Sequence, residues 1–152
     1  MKIRIESCSD GEEEIIIKCK EHSREIDLIK TVIDSITKGG SELLLKIGNA
    51  EFYVSKEDIL FFETYDGKVF AHTKDKMFAT DYRLFELENI MPLYFVRISK
   101  SVIANIKRIS SLERELTGNG NITFKDCDKR TYFSRGYYKI LKDKIDEVRF
   151  GK

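Results

Sequence analysis

Apolar and polar residues alternate with period two along most of this chain and switch to the helical period in only a few places. Residues 2–6 (Lys-Ile-Arg-Ile-Glu) alternate and predict a strand. Ser9-Asp10-Gly11 is a turn, and residues 13–20 predict a second strand with Ile15, Ile16 and Ile17 inside it. Ser23 then stands where an N-cap belongs, with Glu25 and Asp27 in the first turn, where the helix dipole favours acids. Gly39-Gly40 closes that helix. Its stripe of Ile26, Ile29, Ile33 and Ile36 can pack on its own sheet or on a second copy of the chain. Residues 1–40 therefore read as a ββα preface.

From Ser41 the pattern becomes one of short strands and tight turns. Residues 43–47 and 51–54 flank Gly48-Asn49-Ala50 as a hairpin, and residues 59–65 and 68–73 flank Asp66-Gly67. That dipeptide is a strong hairpin signal, because both turn residues must accept positive φ. A strand at 77–82 precedes an amphipathic helix near 83–89, with Leu84, Leu87 and Met91 in register, and Pro92 stops it. Further strands fall near 108–114, 120–125 and 130–134, separated by Gly118-Asn119-Gly120 and Asp126-Cys127-Asp128. A closing helix spans about 136–148, with Tyr137, Leu141, Ile145 and Val148 as its apolar stripe. No βαβ unit repeats. The class is mainly β (α+β), an antiparallel body behind an αβ preface.

The stretch 94–109 is where strand turns into something else. Residues 94–98 are an apolar strand, but Ile98, Val102, Ile106 and Ile109 fall at helical spacing, which predicts a short helical turn. Ser99 would be its N-cap and Asn105 would end it. Arg97, Lys100, Lys107 and Arg108 make the segment basic, with no acid between them. A helix N-terminus beside a lysine is an anion site, and phosphate is the obvious anion. A capped surface turn with a solvated lysine explains the same residues.

Composition changes this picture little. With 152 residues and 41% hydrophobic content, the chain can bury a core in one domain plus an appendage without disulfides or metal. Cys8, Cys19 and Cys127 show no C-x-x-C spacing and read as reduced thiols. No apolar run is long enough for a membrane span or a signal peptide, which predicts a cytoplasmic protein. The net charge of +1 hides an asymmetry: residues 93–152 carry 14 basic and 7 acidic side chains, while residues 41–92 carry 6 and 10. Such a split suggests one face steered toward a polyanion. His22 and His72 lack partners at metal-ligand spacing, and no nucleophile, phosphate-loop or dinucleotide motif is present. Asp126 and Asp128 begin a calcium-like loop that Lys129 and Arg130 break. We expect no enzyme, no cofactor, no metal and no small-molecule substrate.

Four motifs in order carry a family resemblance: residues 58–63 (Asp-Ile-Leu-Phe-Phe-Glu), residues 84–88 (Leu-Phe-Glu-Leu-Glu), residues 95–105 (Phe-Val-Arg-Ile-Ser-Lys-Ser-Val-Ile-Ala-Asn) and residues 134–138 (Ser-Arg-Gly-Tyr-Tyr). Over roughly residues 41–148 the chain resembles the LytTR (LytR/AlgR-type) DNA-binding domain, and residues 1–40 resemble the short extension of stand-alone members. The resemblance implies an elongated stack of antiparallel sheets in a bacterial transcription regulator. Loops at one edge would then reach successive major grooves of double-stranded DNA. It further implies a homodimer on promoter repeats and, for some members, a membrane protein that restrains them.

Carried over by position, the DNA-reading side chains fall on Lys68, Lys100 and Arg135, with Ser99, Ser134 and Tyr138 as supporting phosphate donors. Arg135 is the candidate base reader, since its planar fork can bond guanine O6 and N7 together. Lys100 would add salt-dependent affinity through phosphate. Arg97 is expected to bridge to a carboxylate such as Glu63, and Ser101 and Asn105 to satisfy backbone groups. Where stand-alone members often carry an arginine before the penultimate strand, this chain has Gly118-Asn119-Gly120. A different class also fits the sequence: a protein-interaction module whose preface binds a membrane or signalling partner, with weak DNA contact. Single-stranded RNA binding fits less well, because the aromatics alternate with polar residues as core positions do.

Overall fold

A computed structural model describes residues 15–21, 23–37 and 40–152, with the side chains at 31, 32 and 34–37 excepted. The chain divides into two compact units, Met1–Thr37 and Lys38–Lys152.

In the first unit, helix α1 spans Arg24–Thr37 with Glu25 and Asp27 in its first turn. The Ser23 hydroxyl accepts a long hydrogen bond from the Ile26 N–H at 3.4 Å, so the expected cap is present. Ile26, Ile29 and Ile33 are half-buried, whereas the side chain of the expected fourth member, Ile36, is not described and the terminating Gly39 lies outside the described residues. So do the strand expected at 2–6 and residues 13–14 of the second one. Residues 15–20 form no strand, contrary to expectation. Ile15 and Ile16 are each 62% exposed, and without a buried face β-branched residues have nothing to fix a register against.

The second unit is built from ten strands. The larger sheet contains β1 (Glu42–Ile47), β2 (Ala50–Ser55), β3 (Phe61–Tyr65), β4 (Lys68–His72), β5 (Met77–Thr80), β6 (Phe95–Arg97) and β7 (Val102–Asn105). Its order is β2-β1-β5-β4-β3-β7-β6, with every pairing antiparallel. A three-stranded antiparallel sheet, ordered β10-β9-β8, comprises β8 (Ile109–Arg114), β9 (Gly120–Phe124) and β10 (Arg130–Phe133). Helices α2 (Leu84–Ile90) and α3 (Tyr138–Phe150) complete the unit.

Strand alternation explains the layering. Neighbouring residues point to opposite faces, so Phe61 enters one core with Val102, Ala104, Phe124, Phe133 and Leu141. Phe62 enters another with Leu45, Ala71, Leu84, Leu87 and Ile103. The larger sheet thus carries α2 on one face and the small sheet with α3 on the other. Each fully buried Leu, Ile or Phe here contributes roughly 1.5–3 kcal/mol relative to exposure. Leu84, Leu87 and Met91 are all buried, in the register their spacing predicts. The stripe of α3 shifts by one residue: Tyr138, not Tyr137, packs with Leu141, Ile145 and Val148. The Asp66-Gly67 turn has φ of 49° and 71°, as the hairpin signal requires.

One local expectation is overturned. Residues 98–101 form no helical turn; they are the loop between β6 and β7, and β7 occupies the place of the expected helix. The helical spacing has a different cause. Across this loop the Ile98 N–H donates to the Val102 carbonyl at 3.0 Å, so a tight connection brings residues four apart together much as a helix does. Ile98, Val102, Ile106 and Ile109 still meet in one core.

Candidate nucleic-acid interface

Strand direction gathers four connections at one end of the second unit. Because β3 runs antiparallel to both β4 and β7, the Asp66-Gly67 turn and the 98–101 loop fall at the same edge. The Thr64 N–H bonds the Ser101 carbonyl at 2.8 Å and joins them. The end of β10 is fastened alongside, since the Ser134 N–H donates to the Ile98 carbonyl at 3.0 Å. The β8–β9 turn follows: the Arg135 N–H donates to Asn119 Oδ1 at 2.8 Å. Lys68, Lys100 and Arg135 are therefore carried by adjoining connections on one edge. All three are exposed, and among the described residues none has an ion-pair partner.

The loop bearing Lys100 is held from within. Arg97 Nε donates to the Ser99 carbonyl at 2.9 Å, and Nη2 donates to the Lys100 carbonyl. Its Nη1 pairs with Glu88 Oε1 at 3.0 Å, at the end of α2. Arg97 thus bridges to Glu88 rather than to Glu63, because its register with Ile103 and Phe62 puts it on the α2 face of the sheet, while Glu63 lies on the opposite face, where it meets His72 Nε2 at 2.7 Å. Ser99, expected as a supporting phosphate donor, is turned into the loop. It is 2% exposed, and its hydroxyl accepts from the Ser101 N–H at 3.2 Å, bracing the loop. Lys100 accordingly stands on a hairpin loop and not at a helix N-terminus. Asn105, fully buried, does satisfy backbone groups: it donates to the Ile59 carbonyl at 2.9 Å and accepts from the Lys107 N–H at 3.0 Å.

Arg135 begins a short 3₁₀ turn, residues 135–137, that leads into α3. Ser134 is half-buried, with its hydroxyl in no hydrogen bond to the cap. The Tyr138 ring packs on Phe133 at 5.5 Å between centroids and lies under the Arg114 guanidinium at 4.3 Å. Its ring is therefore part of the core, and Arg114 is the cation that stands over it at this edge. Neither Arg114 nor Asn119 stood out in the sequence. Glu113-Arg114-Glu115 reads as a solvated strand end, and Gly118-Asn119-Gly120 as a plain turn.

His72 is a packed residue. It stacks on Phe61 at 4.3 Å and 12°, and its Nδ1 lies 3.5 Å from Lys129 Nζ. Burial lowers its pKa below the ordinary value, against the pull of the Glu63 carboxylate. Burial likewise lowers that of Lys129. Among the described residues no group of His, Cys, Asp and Glu is arranged to hold a metal ion. Nor is any helix long and apolar enough to cross a membrane. Cys19 and Cys127 are free thiols, and Cys8 lies outside the described residues.

Residues 49–146 match the sequence pattern of the LytTr DNA-binding domain. A protein of Staphylococcus aureus (strain MSSA476), described as an uncharacterized HTH-type transcriptional regulator, is 30% identical over 141 residues, covering 86% of this chain and 95% of the relative. A protein of the same description from strain bovine RF122 / ET3-1 is 36% identical over 100 residues, covering 61% and 67%. The fold resembles that of the LytTr DNA-binding domain of a protein assigned as a methyl-accepting/DNA response regulator from Bacillus cereus. The TM-score is 0.65 at 20% identity, over 70% of this chain and 98% of that one.

Proposed function

The chain belongs to the LytTR family of DNA-binding domains, and on that premise we propose that it is a transcription regulator that reads duplex DNA sequence-specifically through the edge described above. The family is one of DNA-binding domains and not of enzymes. One observation carries the reading: adjoining connections, bonded to one another, present Lys68, Lys100 and Arg135 with no carboxylate among the described residues to neutralise them. Duplex DNA offers phosphates to such cations in rows and guanine edges in the major groove.

In this reading Lys68 and Lys100 contact phosphate and fix register, and Arg135 reads a base. Ser134 and the Tyr138 hydroxyl are secondary donors. The regulator acts as a homodimer on two repeated half-sites, with α1 as the dimerising or partner-binding element, because its Ile26, Ile29 and Ile33 recur at a/d spacing.

The test is fluorescence anisotropy on a duplex obtained by in vitro selection from a randomised library with this protein. A scrambled duplex of equal length is the comparison. Arg135→Ala should lower the selected-to-scrambled affinity ratio by about 5- to 150-fold, the 1–3 kcal/mol expected of one bidentate base contact. An unchanged ratio would sink the assignment of Arg135. Lys100→Ala should weaken both duplexes alike and flatten the slope of log K against log salt by about 0.9. Sedimentation equilibrium of the full chain and of one lacking residues 1–37 tests the dimer, which the truncated chain should fail to form.

A further inference from the structure

We propose that the Gly118-Asn119 turn is a positioning cradle for Arg135. By this device, residues that need not touch DNA set how well a base is discriminated. The inference rests on Arg135 reading a base and adds what aims it. Gly118 is buried, at a φ of +91° that L side chains rarely adopt. The space a side chain would fill there holds the stem of Arg135. A β-carbon on Gly118 would lie 2.6 Å from Arg135 Cδ, 2.7 Å from Cγ and 3.2 Å from Cβ. The next residue, Asn119, takes the Arg135 N–H on its Oδ1 at 2.8 Å. Arg135 is thus held at its backbone by Asn119 and along its stem by the bare Cα of Gly118. Its charged head stays exposed and, among the described residues, unpaired.

The cradle itself is fixed. The Gly118 N–H donates to the Glu115 carbonyl at 3.0 Å, and the Glu115 N–H donates to the Asn119 carbonyl at 2.8 Å. On the other side, the Ser134 N–H is tied to the Ile98 carbonyl. An arginine free to sample its rotamers must be ordered when it docks on guanine, and that cost falls on the cognate site, where the bidentate geometry is demanded. A stem already laid in a groove reduces it. A methyl at residue 118 meets a side chain that can swing and a turn tied by two backbone bonds, so the arginine is what moves.

The experiment measures the selected-to-scrambled affinity ratio for Gly118→Ala, Asn119→Ala and Arg135→Ala, and for each of the first two combined with the third. Thermal melts check that every variant folds. We expect Gly118→Ala and Asn119→Ala each to lower the ratio by about 2- to 10-fold, the cost of re-ordering one long side chain. Neither should lower it further once Arg135 is alanine. Asn119→Asp keeps an acceptor oxygen and should keep the ratio, while its charge weakens both duplexes equally. If Gly118→Ala proves unstable because of its backbone strain, Asn119→Ala and Asn119→Asp decide the matter alone. The cradle is refuted if Arg135→Ala lowers the ratio and the turn variants do not, or if they lower it as much without Arg135 as with it. A ratio unmoved by Arg135→Ala refutes instead the base-reading role on which the cradle depends.

Discussion

The two ends of the strands in the Lys38–Lys152 unit put several of their basic side chains to different use. At the end where β3 begins and β7 finishes, Arg108 pairs with Asp58 at 3.2 Å and bonds the Glu57 carbonyl. Lys107 lies 3.6 Å from Glu57 and over the Tyr94 ring, and Arg149 donates to the Ile109 carbonyl at 2.8 Å. Tyr94 is drawn into the same cluster; burial, with help from Glu57, pushes its pKa up to about 12. At the other end, Lys68, Lys100 and Arg135 have no ion-pair partner among the described residues, Lys46 pairs with Asp81 at 2.8 Å, and Arg97 shapes the loop that presents Lys100. The excess of basic residues after residue 92 is shared between both ends, so segment charge does not mark a binding face. Nor does the lack of a partner mark one alone, since Lys74, Lys125 and Arg130 at the first end are also exposed without an ion pair among the described residues. What sets Lys68, Lys100 and Arg135 apart is that the connections carrying them are bonded to one another.

The largest expected difference between the ends comes from charge reversal. Lys100→Glu and Arg108→Glu change net charge equally. We expect Lys100→Glu to reduce affinity for any duplex by more than tenfold, replacing one phosphate contact by a repulsion. Arg108→Glu should leave affinity within about twofold and cost stability instead, because it faces Asp58 and Glu57; anisotropy beside denaturant melts separates the two. Equal losses of affinity would remove the contrast.

Next in size is Arg97→Ala. Losing charge-assisted bonds to two carbonyls should destabilise the unit by about 1.5–3 kcal/mol. It should also weaken DNA binding through a loosened 98–101 loop, although Arg97 itself is not a contact. Chemical denaturation and anisotropy on the same variant report the two effects, and unchanged affinity would mean that the loop holds its shape unaided.

The smallest is a pH effect confined to the region of His72. Its folded pKa is lowered, so the unfolded chain takes up the proton first, and stability from this group is lost as pH falls through the ordinary histidine range near 6.5. Glu63 and Lys129 face the ring and shift the same titration. Thermal melts between pH 7.5 and 5.5 should decline less steeply in His72→Gln than in the parent, and parallel curves would show that other groups govern this window.

Much of this arrangement was legible beforehand, and the rest was hidden for identifiable reasons. The hairpin at Asp66-Gly67, the α2 stripe of Leu84, Leu87 and Met91, and the three late strands follow from local period and turn chemistry. The 98–101 loop was misjudged because a tight hairpin and a helix both bring residues four apart together, and periodicity cannot tell them apart. The N-cap expected at Ser99 goes with it, since a hydroxyl suited to an N-cap serves equally to brace a turn. A carboxylate partner for Arg97 is legible, but which one depends on strand pairing, which sets Arg97 on the α2 face beside Glu88 and Glu63 on the opposite face with His72.

The sequence by itself determined the antiparallel class and the family, because alternation, turn residues and ordered motifs are local properties. Only the tertiary structure decided which cations are open and which are bound. Arg108 meets Asp58 across 50 residues of chain, and Arg135 meets Asn119 across 16. Partners that far apart are chosen by strand pairing and burial, and no window of sequence contains both.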